Sequence, residues 1–395
     1  MTVAVDAEGV VAFTQELVRI RSVHDPAAGS AESAAAAAVV EKMRSFGWSP
    51  VVTEVAPGRP NVVAVVPGGG GPGATLLFEG HTDVVTEGDL SDWTVDPFGG
   101  SIVDGRLFGR GSADMKSGLA ACLYAVRALQ LAGPFPGRIV VCALVDEEGM
   151  MLGAKAFASS PLAREVDGAV IAEPEAGEIC LVAKGAIRLR VSFAGAMAHG
   201  AMPQHGRNPI LAAGRLLGSL ADLQAELQKA HPSHEHLGEV YLTPTVLAAG
   251  SVEQINVIPS HCTVCVDVRT IPGVSHASVV SLVESLAASA GAPEGVRSSV
   301  SVVDDRPPVD TPSSHPLVGA LAAAHSSVYG TPAEYGGVPG ATDGTILTRD
   351  AGMVTIVYGP GGKWIAHQAD EFVEVDEIVN CTRVFAETAR LFLGG

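Results

Sequence analysis

The chain has 395 residues, more than one typical core accommodates and enough for about two domains. With 47% apolar and 17% charged residues it carries enough apolar surface for packed cores, which excludes a disordered chain. Its net charge of −18, from 43 acidic and 25 basic residues, argues against nucleic acid as a partner, because phosphate binding needs clustered Lys and Arg. Such acidity suits sites for divalent cations but more often only serves solubility. Residues 1–8 show no basic n-region or apolar h-region, and no apolar run is long enough to cross a bilayer. The expectation is a cytoplasmic protein without membrane attachment. Cys122, Cys142, Cys180, Cys262, Cys265 and Cys381 are scattered, mostly in apolar segments, and read as reduced, buried thiols. Cys262 and Cys265 have the spacing of half a zinc site, but residues 263–268 read as a strand, where positions three apart face opposite ways. Both are therefore taken as structural.

In chain order, Val10, Phe13, Leu17 and Ile20 predict a helix over residues 9–23, and an Ala-rich helix follows over 33–46. Strands are expected at 51–55 and 61–66. Residues 68–73 fit G-x-G-x-x-G, but the strand expected next stands where a dinucleotide fold needs a helix, so a hairpin loop is expected. The apolar run 76–78 is a buried strand that breaks at Gly80, followed by His81-Thr82-Asp83. His-x-Asp beyond a strand's carboxyl end, where α/β sheets bind ligands, fits a metal-ligating imidazole held by a carboxylate, or a His–Asp hydrogen bond in a turn. Residues 119–131 predict a helix, 138–145 a continuous apolar strand closed by Asp146-Glu147-Glu148, and 166–172 a strand closed by Glu173-Pro174. Strand–helix–strand alternation with acids at strand ends is an α/β pattern.

From residue 184 the order becomes strand 185–194, helix 207–228, strands 241–250 and 262–270, helix 275–290 and strand 298–303, the β-α-β-β-α-β signature of a ferredoxin-like unit. The helix at 344–347, the strand at 354–357 and the final helix at 376–393 resume the earlier style, so this unit is read as an insertion. The expected division is a catalytic domain in two parts, 1–183 and 304–395, around an inserted domain of 184–303. His231, His234 and His236 crowd one loop of the insertion and read as solvated.

The strand-end residues His81, Asp83, Asp114, Glu147, Glu148 and Glu173, together with His367, form a mixed imidazole and carboxylate set. Four or five carboxylates at one sheet edge repel without counter-charge, which a divalent metal supplies. The donors suit zinc, with cobalt or manganese as alternatives, and exceed one tetrahedral shell, which points to two metals sharing a carboxylate.

His81-Thr82-Asp83, residues 109–118, Asp146-Glu147-Glu148, Glu173-Pro174 and Ala366-His367 resemble the co-catalytic zinc deacylases and carboxypeptidases, a family that includes acetylornithine deacetylase, succinyl-diaminopimelate desuccinylase, aminoacylase and glutamate carboxypeptidase. The resemblance covers essentially the whole chain. It implies an α/β fold: a mixed-sheet, zinc-exopeptidase-like catalytic domain with an inserted ferredoxin-like α+β dimerisation domain. It implies that His81, Asp114 and Glu173 bind one zinc and Asp114, Glu148 and His367 the other. Asp83 would orient His81, and Glu147 would act as general base toward a hydroxide bridging two metals about 3.5–4 Å apart. A cis peptide is expected after Asp114.

In the insertion, residues 198–203 and 206–210 resemble the family segment whose histidine reaches the partner subunit's site. His199 would then stabilise an oxyanion in trans, its alternative being a turn histidine. Asn256-Val257-Ile258-Pro259 and Asp267-Val268-Arg269 match as well. Arg269 would grip the substrate carboxylate with help from Asn256, or instead pair with Asp267 on its own strand. Residues 340–344 resemble a glycine-rich turn beside the carboxylate pocket, with Thr342 a further substrate contact. Three departures stand out: Glu175 where Ser or Thr is common, the bulky Met150-Met151 pair, and Ala369 where Pro is frequent. The implied activity is removal of an N-acyl group from an amino acid or related small carboxylate by a homodimer. The alternatives are a dipeptidase or carboxypeptidase of the same family, and a non-catalytic dimeric binding protein of this fold. A serine hydrolase is disfavoured because no G-x-S-x-G elbow occurs.

Overall fold

A computed structural model describes residues 3–25 and 32–394. Its apolar runs become strands of one mixed sheet, in the spatial order Val51–Ala56, Arg59–Pro67, Arg138–Leu144, Thr75–His81, Gly168–Ile171, Thr355–Val357 and Ile179–Ala183. Thr75–His81 pairs in parallel with both of its neighbours, and Gly168–Ile171 pairs in parallel with Thr355–Val357. All seven residues of Thr75–His81 are buried, as a strand covered on both faces requires. Helix Ser117–Ala132 is buried nearly all round. Helix Val375–Gly394 places Phe385 with its ring centroid 5.1 Å from that of Phe78.

The glycine run 68–73 is not a hairpin loop. Strand Arg138–Leu144 lies between Arg59–Pro67 and Thr75–His81, so the run crosses the start of that intervening strand. Gly68 N donates to Gly137 O (3.0 Å) and Gly70 N to Phe135 O (3.0 Å). A Cβ at Gly68 would lie 2.0 Å from the Phe135 carbonyl oxygen, so close backbone approach is what calls for glycine here.

The first helix is shorter than its periodicity predicts and ends at Val18. Beyond it the Ile20 carbonyl accepts from the buried Lys116 ammonium (2.7 Å). Elements not anticipated include strand Ile179–Ala183, helix Pro316–Tyr329, strand Tyr335–Val338 and a small sheet of Ile102–Val103, Arg106–Phe108 and Phe372–Glu374.

The chain folds as two compact units: Met1–Leu181 with Asp310–Val338 and Thr342–Gly395, and Val182–Val309 with Pro339–Ala341. The second unit holds a four-stranded antiparallel sheet, Tyr241–Ala249, His261–Thr270, Gly185–Ala194 and Arg297–Arg306. With helices Pro209–Ala230 and His276–Gly291 between strands in the chain, this is the ferredoxin-like order. Its core includes Leu216, Leu220, Val264 and Val283. Burial alternates along His261–Thr270, with Cys262 inside and Cys265 half-buried. Among the described residues no helix is long and apolar enough to cross a membrane.

Candidate metal centre and active site

The carboxyl ends of the parallel strands in the first unit deliver the site. His81 is the last residue of Thr75–His81, Glu147 and Glu148 follow Arg138–Leu144, and Glu173 follows Gly168–Ile171. Asp114 comes from a turn over Ser112–Lys116 that opens helix Ser117–Ala132, and its peptide bond to Met115 is cis. His367 comes from the loop after Thr355–Val357.

Asp114 is central to the cluster. Its Oδ1 lies 3.1 Å from His81 Nε2 and its Oδ2 3.3 Å from His367 Nε2. His81 Nε2 is also 3.8 Å from Glu173 Oε1, and His367 Nε2 is 2.9 Å from Glu148 Oε1. Two triads result, His81–Asp114–Glu173 and Asp114–Glu148–His367, each with its donor atoms within 4.8 Å of one another. Bonds of about 2.0–2.1 Å to a tetrahedral zinc place donor atoms about 3.3 Å apart, so these spacings fit an ion in each triad. Only His367 is open, with its side chain 52% exposed.

Electrostatics support the same fit. Burial first, and then the carboxylate of Asp114, push Glu173 well above the ordinary carboxylate range. Burial also raises Glu147, with Glu148 adding to it, and raises Glu148, with Asp114 adding to it. Burial works against the Asp114 carboxylate, but hydrogen bonds from His367 and His81 hold it well below the usual range. Hydrogen bonds to Asp114 and Glu148 raise the His367 imidazole to about 10. The acids thus draw on the positive charge of the His81 and His367 imidazoles, and divalent ions would add to it.

Asp83 divides its contacts. His81 Nδ1 meets the Asp83 carbonyl at 2.9 Å and its carboxylate at 3.6 Å. That carboxylate accepts the amides of Glu147 (3.2 Å) and Glu148 (3.1 Å), fixing the turn that carries both acids. Thr342 belongs to the first unit, where it caps helix Asp343–Ala351 by accepting from Gly344 N at 3.2 Å. His199, Asn256 and Arg269 belong to the second unit. His199 is exposed, and its Nδ1 accepts from Ala201 N (3.1 Å). The Asn256 carbonyl accepts from Gly200 N (2.7 Å), and Arg269 Nε lies 2.6 Å from Asp267 Oδ1, the pairing left open as its alternative.

The unusual Glu175 is neutralised. Lys363 Nζ lies 2.9 Å from Glu175 and 2.8 Å from Glu178, and Cys180 Sγ donates to Glu175 (3.2 Å). This separate group of donors is filled by an ammonium. The residues passed over in the sequence are Arg110 and Glu371, an arginine four positions before Asp114 and an acid four positions after His367. The two stand 261 positions apart, and no local pattern in the sequence links them.

The chain belongs to peptidase family M20/M25/M40, whose model matches residues 77–391. A succinyl-diaminopimelate desuccinylase of Cereibacter sphaeroides is 31% identical over 383 residues, covering 93% of this chain and 94% of that one. The M20 family metallo-carboxypeptidase Sso-CP2 of Sulfolobus solfataricus shares the fold with a TM-score of 0.79 at 18% identity, over 97% of this chain and 99% of that one. The YXEP protein of Bacillus subtilis, described as a dinuclear metal-binding peptidase of the M20 family, superposes with a TM-score of 0.73 at 15% identity, over 98% of each chain.

Proposed function

We propose that this protein is a metal-dependent amide hydrolase that removes an N-acyl group from an amino acid or related small carboxylate. The observation that carries the reading is the Asp114 carboxylate bridging His81 (3.1 Å) and His367 (3.3 Å), in the same cluster as Glu147. His81, Asp114 and Glu173 would hold one ion and Asp114, Glu148 and His367 the other, with zinc best suited to the donors and cobalt or manganese the alternatives. When bound, such a pair makes water nucleophilic near neutral pH and polarises the scissile carbonyl. Glu147 takes the proton of the attacking water on its carboxylate and delivers it to the nitrogen of the leaving amine. Asp83 keeps Glu147 and Glu148 in register through their amides.

The desuccinylase relatives favour N-acyl amino acids as substrates, with Arg269 as the grip on the free carboxylate, Asn256 as its assistant and Thr342 as a further candidate contact. His199 would serve the oxyanion of a partner subunit's site. A homodimer is favoured by the second unit's outer strand, Tyr241–Ala249, which has one neighbour and leaves Val246 and Leu247 exposed. The fold shared with a metallo-carboxypeptidase favours peptide cleavage as the second reading. A panel of N-succinyl, N-acetyl and N-formyl amino acids and dipeptides, assayed with added zinc or cobalt, separates the two. No turnover of any member with any metal would sink both.

A further inference from the structure

Arg110 and Glu371 take no part in the chemistry above, yet they are 2% and 0% exposed. Glu371 Oε1 accepts from the amides of Ala113 (3.0 Å) and Asp114 (3.1 Å), and its Oε2 lies 2.5 Å from Arg110 Nη1. Arg110 Nη2 in turn donates to the carbonyl of His367 (3.2 Å). One buried ion pair therefore grips the backbone at both Asp114 and His367. The pair has its own scaffold: Phe372–Glu374 pairs with Arg106–Phe108, and Gly109 N donates to the Glu371 carbonyl (2.8 Å). The Trp93 ring covers the guanidinium at 5.2 Å.

A buried ion pair is a poor stabiliser compared with apolar side chains of similar size, because both charges must be desolvated. What it supplies is geometry. The carboxylate offers oxygens to two amides and a guanidinium at once, and the planar fork of arginine points one arm at Glu371 and the other at His367. A lysine ammonium is a point charge on a flexible stem and would not fix both directions.

We propose that Arg110 and Glu371 are a positioning pair that sets the separation of Asp114 and His367, and so the affinity for the ion these two share. The proposal rests on the ligand roles given to Asp114 and His367. Groups that orient metal ligands typically change metal affinity or activity by about 10–100-fold when removed.

The test starts from full-length protein stripped by a chelator and titrated with zinc alone against a chromophoric competitor, with melting followed in the apo and loaded forms. For Glu371→Gln and Arg110→Lys, affinity for one of the two ions should fall about 10–100-fold. At limiting zinc kcat should drop, and excess zinc should restore it with KM unchanged. If both variants hold zinc within twofold of the parent and merely melt lower, the pair is only structural and the inference is overturned. Should Glu371→Gln not fold, Arg110→Lys, which keeps both charges, decides alone. A parent that binds no zinc overturns the ligand assignment as well, a result distinct from variants that match a zinc-binding parent.

Discussion

Glu147 and its neighbour Glu148 divide their labour by contact. Glu148 Oε1 lies 2.9 Å from His367, whereas among the described residues no side-chain hydrogen bond engages the Glu147 carboxylate, which lies within 4.8 Å of His81 and Glu148 donor atoms. Glu147→Gln is expected to lower kcat about 10²–10⁴-fold, the usual worth of a general base, while metal content measured by elemental analysis stays at the parent's value. A variant as fast as the parent would remove Glu147 from the mechanism. A second residue-scale prediction concerns pH. Burial lowers the pKa of His325, whose Nδ1 faces the Tyr358 hydroxyl at 2.9 Å. A histidine with a lower pKa folded than unfolded takes up a proton on unfolding, so its contribution is present above the unfolded value of about 6.5 and is lost as pH falls below it. Urea midpoints of the parent should fall between pH 7.5 and 5.5 by more than those of His325→Gln. At this scale the convergence of His81, Asp114, Glu147, Glu148, Glu173 and His367 was legible, because four of the six end an apolar strand or stand within four positions of its end. The Arg110–Glu371 contact was not, since each residue taken alone reads as a surface charge.

Among the elements, Thr342 carries a clean test. Its hydroxyl caps helix Asp343–Ala351, so Thr342→Ala should cost about 1 kcal/mol of stability. If capping is all it does, KM is unchanged; a rise in KM beyond any stability effect would mark a substrate contact. The glycine crossover offers another. Gly68→Ala drives a methyl into the Phe135 carbonyl at 2.0 Å, and backbone cannot give way as a flexible side chain would. Overpacking of this kind costs about 1–3 kcal/mol, to be read from chemical denaturation. The strands themselves were readable because continuous apolar runs announce burial on both faces. Their order was not: nothing in residues 68–73 says that a strand made some sixty positions later will slot in between. Helix Pro316–Tyr329 escaped for a related reason, its small residues Gly319, Ala320, Ala322, Ala323 and Ala324 blurring the apolar period.

For the whole molecule, the proposed ligand set is drawn from segments spread between residues 81 and 367 and would make metal binding a folding restraint. Chelation should lower the melting temperature, because an ion that binds only the folded form stabilises it by about 2.7 kcal/mol at a hundred times its Kd. Calorimetry with and without excess chelator measures the effect, and an unchanged midpoint would argue against structural coupling of the site. The sheet has a further consequence during synthesis. Gly168–Ile171 is flanked on one side by Thr355–Val357, made almost two hundred residues later. At about 5–20 residues per second, roughly ten to forty seconds separate their emergence from the ribosome. Throughout that interval the edge that Gly168–Ile171 gives to Thr355–Val357 has no native partner, and it gains one only as the last tenth of the chain is translated.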